Sequence, residues 1–147
     1  MKILIIAGSA SDEKYIAQCG ELLTKLGIAF RATVASAHRS PKRVQALIEK
    51  LDPSTKVIIA MAGHAAHLAG VIAAHTVIPV IGVPLPSSDL KGIDSLLSTA
   101  QMPAGIPVAT MGIGDAGCQN AAVLAAQILS VGDSTITSRL MDYRAGL

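Results

Sequence analysis

The feature that most restricts the fold is a set of short, unbroken apolar runs, each followed by turn residues and then a helical pattern. Ile3-Leu4-Ile5-Ile6, Val57-Ile58-Ile59-Ala60-Met61 and Val77-Ile78-Pro79-Val80-Ile81-Gly82-Val83 leave no polar position for a solvated face. Strands of this kind are buried on both sides, as in a parallel sheet covered by helices. The pattern predicts strands at 2–7, 29–35, 56–62, 77–83 and 107–110. It predicts helices at 12–26, 41–51, 65–75, 92–99, 116–131 and 134–144. Alternation of this type argues for one α/β domain over 1–147, a doubly wound five-stranded parallel sheet in three layers. Right-handed crossovers favour the flavodoxin-like order 2-1-3-4-5, with an extra C-terminal helix.

Composition narrows the function classes. Of the 147 residues, 51% are hydrophobic and 15% charged, which excludes a disordered chain. A net charge of +2, scattered Lys and Arg, and only Tyr15, Phe30 and Tyr143 as aromatics argue against nucleic-acid binding. Mean hydropathy is high at +0.54, yet no apolar run reaches the roughly 18–20 residues that span a bilayer. Subunit association is the expected outlet for that hydropathy. The segment 120–129, apolar almost all round, is the helix expected to meet a neighbouring copy. The apolar run after Lys2 is too short for a signal peptide, and Cys19 and Cys118 have no paired spacing, so a reduced, cytoplasmic protein is expected.

In this architecture ligands bind beyond the carboxyl ends of the strands, near the point where strand order reverses. The segments 8–12, 36–41, 63–70 and 84–92 converge there. Gly8-Ser9-Ala10-Ser11-Asp12 supplies hydroxyls and amides that suit phosphate, although taken alone Ser11 or Asp12 as a plain helix cap is the better explanation. In Ser36-Ala37-His38-Arg39-Ser40-Pro41, Ser40 and Pro41 read as an N-cap and first helical residue. That leaves His38 and Arg39 unexplained: a proton carrier near working pH beside a fork of donors suited to phosphate.

Met61-Ala62-Gly63-His64-Ala65-Ala66-His67-Leu68 combines small residues with two imidazoles. On a helix, His64 and His67 would share a face, but the spacing offers no third metal ligand and no carboxylate, so no metal site is expected. His75 is placed by the helix C-terminal dipole. The loop 84–89, rich in Pro and Ser, has the composition of a lid. Gly112-Ile113-Gly114-Asp115-Ala116-Gly117 matches the dinucleotide fingerprint, but no strand with a terminal acid follows, so a turn and close helix packing account for it.

Taken together, these motifs resemble the N5-carboxyaminoimidazole ribonucleotide mutase family of purine biosynthesis. The likeness is carried by Gly8-Ser9-x-Ser11-Asp12, Ser36-Ala37-His38-Arg39-x-Pro41, Ala62-Gly63-x-Ala65-Ala66-His67-Leu68, Gly82-Val83-Pro84, Gln101-Met102-Pro103-x-Gly105-Ile106-Pro107 and the run from Asn120 to Leu129. The resemblance implies a homo-octamer without metal or organic cofactor that moves a carboxyl group of an imidazole ribonucleotide from N5 to ring carbon C4, through transient CO2. It implies that His38 shuttles the proton and that His67 lines the carboxyl pocket as a second catalytic residue. It further implies substrate contacts from Ser9, Ser11, Asp12, Ser36, Ala37, Arg39, Gly63, Ala65, Ala66 and Leu68. Two positions depart from the pattern: His64 stands where these mutases have Gly, and Ala69 where they have Pro. The sister carboxylases, which use free CO2, carry Arg-Ser-Asn where this chain has His64-Ala65-Ala66, so the motif favours the mutase. A non-catalytic phosphosugar-binding module on the same fold is the alternative from another class.

Overall fold

The computed structural model describes residues 2–147; Met1, the first residue of the expected domain, lies outside them. Five strands form one parallel sheet in the order β2-β1-β3-β4-β5. They are β1 (Ile3–Ala7), β2 (Phe30–Val34), β3 (Val57–Gly63), β4 (Val80–Leu85) and β5 (Ala109–Thr110). The helices are α1 (Glu13–Lys25), α2 (Pro41–Glu49), α3 (Leu68–Ala73), α4 (Ile93–Ala100), α5 (Asp115–Ser130) and α6 (Ser134–Ala145), with a 3-10 turn at Ala10–Asp12. The expected order and layers are therefore those observed.

Helices on the two faces bury two separate clusters. On one face Ile3, Ile5, Ile59, Met61, Ile81 and Val83 meet α1, α5 and α6. On the other, Leu4, Ile6, Ile58, Ala60 and Val80 meet α2 and α3. Alternate residues of β1 and β3 thus serve opposite cores, which is why neither strand can spare a polar position. The segment 120–129 is absorbed largely within this subunit: Ala121, Ala122, Ala125 and Ala126 are buried against the first cluster, while Val123, Leu124, Ile128 and Leu129 are partly covered. No helix among the described residues is long and apolar enough to cross a membrane.

Several boundaries differ from expectation. The strand expected at 77–83 begins at Val80, because Thr76 Oγ1 accepts from Ile78 N in a turn that leaves Val77 exposed. It then continues through Pro84 and Leu85, both buried. Proline is tolerated there because β5 has already ended opposite Gly82; the Pro84 carbonyl, on the open side, accepts from Gly114 N instead. The first two residues of the loop expected at 84–89 accordingly belong to the strand, leaving a loop at 86–92. The strand expected at 107–110 shrinks to two residues. The helix expected from residue 65 starts only at Leu68. The glycine motif behaves as expected: a Cβ on Gly117 would overlap the Gly112 carbonyl, and Gly114 has a φ of +72°.

Candidate active site

Three strand ends build the site. β1 and β3 diverge into Gly8–Asp12 and Gly63–His67, and β2 feeds the turn from Ser36 to Ser40. Gly8 N donates to Met61 O at 2.9 Å and Ala35 N to Ala7 O at 2.9 Å, so all three loops spring from one rigid edge. Between them lies a cavity of about 700 Å³ lined by Gly8, Ser9, Ser11, Asp12, Ser36, Ala37, His38, Arg39, Ala62, Gly63, His64, Ala65, His67, Leu68 and Ser87.

The first loop folds on itself. Ser9 Oγ accepts from Ser11 N at 3.3 Å and from Ser11 Oγ at 2.9 Å, while Asp12 Oδ2 accepts from Ser9 N at 3.1 Å. Ser9 thus caps the 3-10 turn and Asp12 reciprocates as in a capping box. Asp12 does occupy the N-cap of α1, but neither its carboxylate nor Ser11 accepts from a helix amide there. Asp12 is buried, and that burial raises its pKa above the ordinary 3.8. The Ser11 hydroxyl, the Ser9 amide and the charges of Arg39 and His64 oppose the shift without cancelling it.

The second loop is braced by serines. Ser40 Oγ accepts from Ser36 N at 3.1 Å and donates to Ser36 O at 3.2 Å, so its hydroxyl does not cap α2. Ser36 Oγ in turn accepts from Arg39 N at 3.1 Å. The tight turn presents His38 and Arg39 together, with Arg39 Nη2 reaching back to Gly8 O at 3.5 Å. His38 Nε2 lies 2.8 Å from Ala65 O and the His38 and His67 rings are 4.9 Å apart, tilted by 58°. A carbonyl can only accept, so Nε2 carries a hydrogen, and Nδ1 is the atom left to exchange a proton.

The third loop corrects the helical picture of its histidines. His64 has a φ of +53° and lies outside α3, so His64 and His67 are not stacked on one helical face. Among the described residues no group of three or more His, Cys, Asp or Glu side chains converges in a way that would hold a metal. His64 Nδ1 sits 3.1 Å from Ser87 Oγ on the β4–α4 loop. Glycine at 63 leaves room for Ser87, since a Cβ there would overlap the Ser87 side chain and force it to move. His75, at the end of α3, donates from Nδ1 to Val71 O at 2.8 Å, satisfying a last-turn carbonyl as the dipole argument expects.

Of the residues singled out from sequence, Ser9, Ser11, Asp12, Ser36, Ala37, His38, Arg39, Gly63, Ala65, His67 and Leu68 line the cavity. Ala66 does not; it is buried beneath the loop, where the backbone turns between two lining residues. Ser87, His64, Gly8 and Ala62 were missed as site residues. Ser87 had no signal beyond its loop, and His64 was visible only as a departure from a glycine position.

The geometry defines a class: a parallel α/β domain whose polar groups cluster at the strand-order switch point, two imidazoles in contact beside one arginine. The family model described as "AIR carboxylase" matches residues 2–147, and the chain belongs to that family. It is 50% identical over 143 residues to an N5-carboxyaminoimidazole ribonucleotide mutase of Brucella melitensis, covering 97% of this chain and 88% of the relative. A protein of the same name from Haemophilus influenzae is 46% identical over 144 residues, again covering 97% and 88%. The crystal structure of Treponema denticola PurE superposes with a TM-score of 0.88 at 28% identity, covering 98% of this chain and 89% of that one.

Proposed function

We infer that this chain is a 5-(carboxyamino)imidazole ribonucleotide mutase, an isomerase that moves the carboxyl group from N5 to C4 in purine biosynthesis. The observation that carries the chemistry is the single imidazole, His38, fixed at the cavity wall with Nε2–H on Ala65 O and Nδ1 left to exchange a proton. Naming by close relatives over almost the whole chain supports the substrate.

The reaction asks for little beyond proton bookkeeping and confinement. Protonation of N5 by the imidazolium of His38 breaks the N–CO2 bond and releases CO2 beside the aminoimidazole. C4 then attacks the CO2 carbon, and the C4 proton passes to Nδ1 of His38, restoring the imidazolium. One proton leaves and one returns, so no outside acid, base or oxidant is consumed. His67, in ring contact with His38, and the small residues Gly63 and Ala65 form the wall against which CO2 is held. Arg39, Ser36, Ser9 and Ser11 moor the phosphate, a remote contact that fixes C4 and N5 within reach of one ring. Asp12 accepts from the ribose hydroxyls. Ala37 and Leu68 complete the wall.

We extend the reading to a cytoplasmic homo-octamer without cofactor. Support for association comes from exposed apolar side chains such as Val77, Leu90, Ile93, Leu97 and Val131. Support for a reducing compartment comes from Cys19 and Cys118, both free and buried, their thiols pushed up to about 12 by burial.

Purified protein supplied with the N5-carboxylated ribonucleotide should form the C4-carboxylated isomer without ATP. A rate that instead rises with dissolved CO2 on the uncarboxylated ribonucleotide would make it the sister carboxylase. Binding without turnover of either compound would leave only a phosphosugar-binding module.

A further inference from the structure

His64 is a non-glycine residue held in the left-handed region, at a position where the family resemblance calls for glycine. Such a conformation carries a backbone cost that glycine avoids, and it persists only where something else favours the side chain. The side chain is not idle. Its Nδ1 is 3.1 Å from Ser87 Oγ, its ring lines the cavity, and its charge is felt at Asp12 in the β1–α1 loop. With Ser87 donating to Nδ1, or with the ring protonated, Nε2 carries a hydrogen, and it has no protein partner among the described residues.

We propose that His64 recognises the migrating carboxyl group, presenting Nε2–H to its carboxylate while Ser87 sets the ring's orientation. This rests on the mutase reading, which puts an anionic carboxyl next to His38. The adjacent residue explains the assignment: Ala65 O holds the His38 ring, so the loop that carries His64 runs beside the reacting carbon rather than beside the phosphate. The phosphate already has Arg39 and the serines of the first two loops. A cation or N–H donor at residue 64 therefore meets the only other anion of the substrate. Its contribution is a charge-assisted hydrogen bond, strong enough to alter affinity by about tenfold.

The test is a pair of affinities measured by calorimetry in a His38→Asn background, which stops conversion of the C4-carboxylated ligand to its N5 isomer during the measurement. One ligand is the C4-carboxylated ribonucleotide and the other the uncarboxylated aminoimidazole ribonucleotide. His64→Gly suits the local backbone, so folding is preserved. It should weaken the carboxylated ligand by about tenfold and leave the uncarboxylated one within about twofold. Ser87→Ala, acting through the ring, should lower the same ratio by a smaller factor. Equal weakening of both ligands would place His64 on the phosphate or ribose side and overturn the proposal, as would no change in either. Turnover by the His38-containing wild type is scored separately: its absence would sink the mutase reading, whereas the affinity ratio alone decides the role of His64.

Discussion

The two ends of the sheet carry cavities of similar size, about 700 Å³ at the carboxyl ends and about 800 Å³ beneath α2, and only one of them is organised for chemistry. The second cavity, lined by Leu4, Arg31, Arg43, Leu47, Lys50, Leu51, Asp52 and others, is the richer in cations. Its Arg31, Arg43 and Lys50 are exposed, on an edge strand and on α2. At the carboxyl ends, by contrast, four of the polar side chains are tied to backbone: Ser9 to Ser11, Ser36 to Arg39, His38 to Ala65, Asp12 to Ser9. Volume and charge do not make a site; groups whose orientation is fixed before the ligand arrives do, because binding then spends little on ordering them.

The largest test of that contrast is His38→Asn, which should cut turnover by about 10²–10⁴-fold with the fold intact by circular dichroism, as expected for loss of a proton carrier. Arg43→Ala at the other cavity should leave turnover alone. Arg39→Ala should follow, raising the KM for the ribonucleotide by roughly ten- to a hundredfold, the cost of about 1.5–3 kcal/mol for one charged hydrogen bond. Arg31→Ala measured in parallel should not move KM; equal losses from the two arginines would erase the distinction between the ends.

Gly63→Ala tests preorganisation directly. Its Cβ would displace Ser87 and so the β4–α4 loop, at about 1–3 kcal/mol in stability and a rise in KM, read from a melting curve and steady-state kinetics. Gly105→Ala, with open space around its Cβ but a φ of +94°, would reveal the cost of backbone strain alone.

The smallest effect concerns pH. The native state binds the Asp12 proton more tightly than the unfolded chain, because burial raises its pKa above 3.8. In the window between 3.8 and that raised value the folded state therefore holds more protons than the unfolded one. Stability falls as pH rises through the window, and the burial cost remains above it. Wild type compared with Asp12→Asn should show this as a difference in unfolding free energy that shifts against wild type as pH rises. Ligand affinity should move the opposite way, since the proposed role of Asp12 is to accept from the ribose hydroxyls in its ionised form. A flat difference would mean that Asp12 is solvated like any surface carboxylate.

Much of the site was legible because its loops are short and follow directly from strands. Once β1, β2 and β3 were placed by their apolar runs, the residues after them had to converge at the switch point. That is why His38, Arg39, Ser9 and Asp12 could be named, and why His38 and His67 meet although 29 positions separate them in the chain. What could not be read was local geometry set by distant partners. Ser40 does hold the N-cap position of α2 with Pro41 behind it, but its hydroxyl braces Ser36 instead of a helix amide, since it finds a backbone pair in the turn it closes. The helix after β3 starts late because Gly63–His67 adopts a turn with a left-handed residue, and sequence spacing alone put two histidines on a face that does not exist.

The chain alone determined the parallel sheet, its order and the loops that bear chemistry, because continuous burial and alternating periodicity are properties of neighbouring residues. The tertiary structure decided which nitrogen of His38 is free, where His64 points and that Ser87 belongs to the site. Each depends on a contact between loops far apart in sequence. His38 meets Ala65 once β2 and β3 flank β1, and His64 meets Ser87 once β3 and β4 lie side by side and bring Gly63 against Leu85.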